Sequence, residues 1–148
     1  MMLWFVIGVM LVYLGISTHY AGGQKSLSAM AGAWKKWPFM LTMAIQGFCL
    51  PSLMMGMTEE TCMFLPFFMA LGILLVGATP LMKESLEEKV HYLGAFLSGI
   101  AGAVWVGLNN WILLLPALIC ILAGGKENLK WRTEIGLIIS VYLVLCLK

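Results

Sequence analysis

The chain has 148 residues, of which 61% are hydrophobic and 11% are charged. A soluble domain of this length cannot bury so much apolar surface, so the composition predicts an integral membrane protein with much of its surface facing lipid. The net charge of +2 is too small to indicate a nucleic-acid partner, and the length predicts one transmembrane domain over residues 1–148.

Apolar segments long enough to span a bilayer follow one another from the N-terminus. A transmembrane helix needs about 20 mostly apolar residues. The fourth segment also carries a start signal, because Ser85 and Glu88 have the spacing of a capping box. The sequence predicts four transmembrane helices in this part of the chain, at about residues 1–20, 38–56, 61–82 and 86–108.

Residues 26–37, between the first two predicted spans, have a helical pattern of their own. Leu27, Met30, Ala31 and Trp34 follow the spacing i, i+3, i+4, i+7, which aligns them on one face. Basic residues follow them and would lie at the lipid headgroups. The pattern predicts a short interfacial helix, and the alternative is an ordinary loop against the bundle.

After the fourth segment, Asn109 and Asn110 interrupt an apolar run, either as a turn or as a polar flaw in one long helix. A turn gives two further helices, at about 111–124 and 133–147. It also places the basic loops 21–37, 83–89 and 125–132 on one side, with every basic residue except Lys148. Basic residues in short loops stay cytoplasmic. The sequence therefore predicts an all-α bundle of six transmembrane helices with both termini outside.

The fourth helix carries small residues at intervals of four. Gly94, Ser98 and Gly102 form one row, and Gly99 and Ala103 belong to a second row. Small residues at this spacing let the backbone of another helix approach closely. The rows predict a helix-packing surface, either inside the bundle or between subunits.

Polar groups at membrane depth are the first candidates for a functional site. His19 and His91 are the two ionisable side chains predicted to reach into the spans, and His91 shares a helical face with Ser98. Gln46 is the most expensive remaining side chain to bury without a partner. The sequence predicts that Gln46, His91, His19 and Ser98 form a pathway or gate. The alternative is hydrogen bonding between helices or to loop carbonyls. The desolvation cost of the amide also predicts that Gln46→Leu leaves folding intact.

Sulfur-containing residues suggest a second kind of site. Thioether and thiolate groups select Cu(I), which makes four residues near the predicted outer side candidate ligands: Met54, Met57, Cys62 and Met63. Methionine is also an ordinary filler of gaps in apolar cores. The preferred interpretation is therefore packing, with no metal and no cofactor.

For function, the sequence favours transport or permeation of a small neutral or weakly charged solute. The alternative is a non-catalytic membrane subunit, or an assembly or regulatory partner, that docks through helix 86–108. An enzyme is disfavoured because the sequence offers no convergent set of nucleophile, base and carboxylates. The expected partners are the lipid bilayer and either a second copy of the chain or another membrane protein.

Overall fold

The computed structural model describes residues 1–21, 26–33, 35–123 and 128–147, which form helices joined by turns, with no strand among them. Two 3₁₀ turns, Glu60–Cys62 and Trp111–Leu114, precede the fourth and sixth α-helices. The α-helices are α1 (Met2–Ala21), α2 (Leu27–Ala33), α3 (Lys36–Met55), α4 (Phe64–Ala78), α5 (Ser85–Asn110), α6 (Leu115–Leu122) and α7 (Leu129–Leu147). The all-helical architecture predicted from the sequence is confirmed.

Two helix boundaries differ from the prediction for local reasons. α4 ends at Ala78 instead of about residue 82, because Thr79 precedes Pro80 and leaves the helical conformation, with φ −120° and ψ 56°. α5 begins at Ser85 itself, since the preceding residue, Glu84, is the extended N-cap and makes no side-chain capping bond. The predicted capping box at Ser85 is therefore wrong.

Four helical stretches of the described chain are long and apolar enough to cross a membrane: Met2–Tyr20, Lys36–Met55, Glu60–Ala78 and Ser85–Leu122. The last contains 38 residues. As one straight helix it would measure about 57 Å, nearly twice the thickness of a bilayer's hydrocarbon core. The course of the chain inside this stretch therefore decides how the bundle is arranged.

The chain reverses direction at Asn110. This residue has an extended backbone, with φ −165° and ψ 98°, and its side-chain oxygen accepts a hydrogen bond from the Ile112 N–H at 3.2 Å. The turn Trp111–Leu114 then folds back on the end of α5. A Cβ atom placed on Gly107 would lie 3.7 Å from Cδ1 of Leu114. The two asparagines thus end α5 and begin a return segment.

Helix ends gather into two groups, each with its own buried core. The Trp105 end contains apolar residues of five helices: Val6, Met54, Leu65, Trp105 and Val144. The His91 end contains buried residues of α1, α2 and α3, with α7 packed against them: Tyr13, Leu27, Phe39, Met43 and Trp131. The amino group of Lys130 lies 5.0 Å from the centre of the Tyr92 ring. The starts of α5 and α7 therefore lie together at the His91 end.

Basic residues of the described chain follow the same division. All of them lie just before, or in the first two turns of, α3, α5 and α7: Lys35, Lys36, Lys83, Lys89, Lys130 and Arg132. Each of these helices starts at the His91 end. The remaining basic residues of the predicted pattern, namely Lys25, Lys126 and Lys148, lie outside the described residues, as does Trp34 of the predicted interfacial helix.

Candidate functional site

A cavity of about 870 Å³ lies between α3, α4, α5 and α7. Ser26 and Glu134 line it at the His91 end, and it extends to Leu50 and Val141, which belong to the core of the Trp105 end. Pockets of about 300–1,000 Å³ with apolar walls and a few placed polar groups are typical small-molecule sites. This cavity has that size and that composition.

Three of the four side chains predicted to form a pathway line this cavity: Gln46, His91 and Ser98. They come from two helices and are brought together only by the fold. His19 does not join them. It is exposed in the last turn of α1, where its ring meets the Tyr20 ring edge-on at a centroid distance of 5.2 Å.

The Gln46 side chain is 1% exposed, and both its amide nitrogen and its amide oxygen have a hydrogen-bond partner. Its Nε2 group donates a hydrogen bond to the Val6 carbonyl oxygen at 2.8 Å. Its Oε1 atom accepts a hydrogen bond from the Tyr142 hydroxyl at 2.6 Å. The amide therefore joins α3 to both α1 and α7, which satisfies a group that would otherwise be costly to bury.

His91 is 5% exposed, with its ring held in one orientation. Nδ1 lies 3.0 Å from the carbonyl oxygen of Thr79. A carbonyl oxygen only accepts hydrogen bonds, so Nδ1 carries a proton and is the donor. The hydroxyl of Thr79 donates to the Leu75 carbonyl oxygen at 2.8 Å. The histidine thus supplies the cavity wall with an oriented imidazole.

Ser98 and Gly94 lie where α5 meets α4 at very short range. A Cβ atom placed on Gly72 of α4 would lie 2.5 Å from the Gly94 carbonyl oxygen and 2.5 Å from the Ser98 backbone nitrogen. The Ser98 hydroxyl turns back to its own helix, donating to the Ala95 carbonyl oxygen at 3.2 Å. This part of the small-residue row therefore makes its close contact inside the chain.

The other predicted packing residues of α5 have looser surroundings. A Cβ atom on Gly99 would lie 3.9 Å from Cδ1 of Leu137, and one on Gly102 would lie 3.5 Å from the sulfur of Met69. Both are ordinary contacts with movable side chains. Ala103 is half-buried on the same helix.

Glu134 is a cavity residue that the sequence interpretation missed. The sequence pointed to His19 and His91 as the ionisable side chains inside the spans, whereas Glu134 lies in the second turn of α7, because α7 begins at Leu129 and not at about 133. Its Oε2 atom accepts a hydrogen bond from the Leu27 N–H at 2.8 Å. The Tyr13 hydroxyl donates to the Leu27 carbonyl oxygen at 3.0 Å. α2 is thus attached to α7 and α1 by the two backbone groups of one residue.

The residues of α7 that line the cavity can be recognised in the sequence by their helical spacing. Eight of its residues line the cavity and follow each other at alternating intervals of one and three: Leu129, Lys130, Thr133, Glu134, Leu137, Ile138, Val141 and Tyr142. Residues three and four apart share one face of a helix. The predicted helix 133–147 already places the Glu134 carboxylate and the Tyr142 phenol on the same face.

The sulfur-containing candidates lie in the core of the Trp105 end. Met54 is completely buried there, and Met57 and Cys62 are partly buried and pack against that core. Met63 is half-buried just before α4. Among the described residues, no group of three His, Cys, Asp or Glu side chains is placed to hold a metal ion.

Comparison with known protein families, with curated proteins and with solved structures finds no match to this chain. The cavity's own geometry is therefore the basis for assigning a function. Its walls are mainly apolar, and hydrogen bonds orient the side chains of Gln46 and His91. Such an arrangement binds a small molecule by shape and by a small number of hydrogen bonds.

Proposed function

We propose that this chain is an integral membrane protein that moves a small neutral or weakly charged solute through the cavity between α3, α4, α5 and α7. The observation that carries the proposal is the meeting of Gln46, His91 and Ser98 in one cavity. A solute path through a membrane needs polar groups at depth, and these are costly unless they serve a purpose or have partners. An ion would lose its hydration against these apolar walls, so a neutral or weakly charged solute fits better.

For the membrane arrangement we propose six spans, formed by α1, α3, α4, α5, the segment 111–122 and α7, with α2 at the interface. The reversal at Asn110 and the shared position of the α5 and α7 starts support an out-and-back path between them. The basic residues at the His91 end support a cytoplasmic location for that end. The segment 111–122 is short, roughly 20 Å, which favours local thinning of the bilayer around it.

The cavity's position supports entry of solute at the His91 end. At the opposite end, Trp105 is completely buried, and its indole N–H donates a hydrogen bond to the Thr58 hydroxyl at 2.7 Å. The apolar core around Trp105 separates the cavity from that end of the bundle. Release on the outer side would therefore require this core to open, as in alternating access.

The test is solute uptake into proteoliposomes, screened over small neutral solutes and weak acids and bases. Gly99→Phe should abolish uptake, because Gly99 lines the cavity and a Cβ atom there meets only Cδ1 of Leu137. The new ring then fills the cavity without forcing two backbones apart.

Gly107→Phe is the matched control. It lies on the same helix, its Cβ atom would meet only Cδ1 of Leu114, and that contact is away from the cavity. Uptake should persist in this variant. Equal loss in both variants, or no uptake of any solute by the native chain, would reject transport through this cavity.

A further inference from the structure

The cavity is open on its side, between α5 and α7. Large side chains of α5 line the cavity and are also exposed at the surface of the bundle, among them Tyr92 at 47% and Phe96 at 67%. Ile100, one turn further along, shows the same combination. α5 and α7 meet from Gly99 onward: a Cβ atom on Gly99 would lie 3.9 Å from Cδ1 of Leu137, and one on Gly102 would lie 3.7 Å from Cγ2 of Val141. The gap therefore lies in the half nearer the His91 end.

Two lysines lie near this opening: Lys130 of α7 lines the cavity, and Lys89 lies three residues before Tyr92 on α5. The ammonium group of Lys130 lies over the Tyr92 ring and 3.5 Å from its hydroxyl oxygen, so it reaches from α7 across to α5. Lys89 is exposed and lies on the same helical face as Phe96 and Ile100, seven and eleven residues before them. Glu134 also lines the cavity, but its Oε2 atom is bonded to the backbone of α2.

We infer that a single-chain anionic amphiphile, with a carboxylate or phosphate head, enters the cavity sideways between α5 and α7. Its head binds Lys89 and Lys130, and its chain lies along Phe96, Ile100 and Leu137. The inference rests on the proposed function and names the class of solute that this cavity takes.

Physical chemistry favours this class over a water-soluble ion. An ion inside the apolar part of the cavity would lose its hydration without compensation. An amphiphile keeps its charge at the opening and moves its chain from one apolar environment to another. The contact of Lys130 with Tyr92 is weak, because solvent screens an exposed cation–π pair. A carboxylate or phosphate makes stronger charge-assisted hydrogen bonds with the ammonium group and displaces the ring.

Photocrosslinking of the full-length protein in phosphatidylcholine nanodiscs tests the inference. The probe is palmitic acid carrying a diazirine in the middle of its chain, and peptide mass spectrometry locates the crosslinks. We expect them on the segments that contain Phe96–Ile100 and Leu137–Val141. Unlabelled palmitate or dodecyl phosphate should compete with the probe, and the stronger competitor identifies the head. Hexadecanol, which has a chain but no charge, should compete weakly.

Removing the two charges should weaken probe binding without unfolding the bundle. In Lys89→Gln/Lys130→Gln, the probe concentration for half-maximal crosslinking should rise about tenfold or more, as expected from losing charge-assisted hydrogen bonds. Lys35→Gln/Lys36→Gln is the matched control, since both lysines are exposed at the start of α3 and do not line the cavity. It should bind the probe as the native chain does.

Several results would overturn the inference. Crosslinks spread evenly over exposed side chains of other helices, such as Val12 and Phe48, would mean that the probe reports ordinary surrounding lipid. Equal competition by hexadecanol would show that binding does not depend on an anionic head group. A third outcome separates the two proposals. If another solute is taken up, Gly99→Phe blocks that uptake, and no crosslinks form at the opening, this inference is overturned and the proposed function stands. Crosslinks as expected, with no uptake, would support the site and reject transport.

Discussion

At the scale of single residues, the pairing of Gln46 with Tyr142 decides what a substitution in the cavity does. The phenol donates to the amide oxygen at 2.6 Å, and the amide donates to the backbone of α1 at 2.8 Å. A leucine at position 46 removes one buried polar group but leaves the Tyr142 hydroxyl without this acceptor. An unpaired buried donor costs about 1–3 kcal/mol. Because of this partner, the sequence-based expectation that Gln46→Leu leaves folding intact is replaced by an expectation of destabilisation.

We predict that Gln46→Leu lowers the free energy of unfolding by about 1–2 kcal/mol, because it strands Tyr142. Tyr142→Phe should cost less, about 0.5–1.5 kcal/mol, since the amide keeps its bond to Val6. In the double variant both partners are gone, and the loss should be smaller than the sum of the single losses. The measurement is reversible unfolding by denaturant in mild detergent. Strictly additive losses would contradict a direct interaction between the two side chains.

At the scale of helices, α4 and α5 approach each other at a contact that depends on glycine on both sides. A Cβ atom on Gly72 would lie 2.5 Å from backbone atoms of α5, and one on Gly94 would lie 2.7 Å from the Gly72 carbonyl oxygen. Backbone atoms cannot move aside as a flexible side chain can. The position of α5, and with it the positions of His91 and Ser98 in the cavity, depends on this contact.

We predict that Gly72→Leu destabilises the bundle by about 3 kcal/mol or more, because it forces two helix backbones apart. Gly102→Ala should change stability by less than about 1 kcal/mol, because the new methyl group meets only side-chain atoms, those of Met69 and Val141, at 3.5 Å or more. Thermal unfolding in detergent measures both. Equal effects of the two substitutions would show that the close contact does not hold α4 and α5 together.

The helical pattern of this chain was largely predictable, and the partners of each helix were not. Length and hydropathy are local properties, so the long apolar helices and the interruption at Asn110 could be located from sequence. The small-residue row of α5 was recognised, but Gly72, its partner in α4, is a single glycine without a row of its own. Likewise Gln46 was selected by its burial cost alone. Its partner Tyr142, 96 residues away, depends on which helices meet, and local spacing does not encode that.

At the scale of the whole molecule, the two ends of the bundle differ in packing and in charge. The Trp105 end has a dense apolar core and the exposed acidic residues Glu59 and Glu60 nearby. The His91 end has the cavity, the polar contacts of α2 and the basic residues. An integral membrane protein with this distribution should keep the basic end in the cytoplasm.

We predict that single cysteines report this orientation in intact cells, in a background where the four native cysteines are replaced. An impermeant thiol reagent should label Glu59→Cys and Asn110→Cys, which lie at exposed positions of the Trp105 end. It should label Lys89→Cys and Lys130→Cys only after the cells are opened. Labelling of Lys130→Cys and Lys89→Cys from opposite sides would rule out the two spans proposed between them.

The attachment of α2 bears on how the protein is made. Leu27 and Glu134 are hydrogen-bonded, yet they lie 107 residues apart in the chain. A ribosome adding about 5–20 residues per second needs roughly 5 to 20 seconds between synthesising the first and the second. During that interval the Leu27 N–H must find another acceptor, and α2 has only its contacts with earlier parts of the chain, such as the bond from the Tyr13 hydroxyl to the Leu27 carbonyl oxygen. We therefore expect a nascent chain that still lacks α7 to have no formed cavity, because α7 supplies one of the cavity's walls.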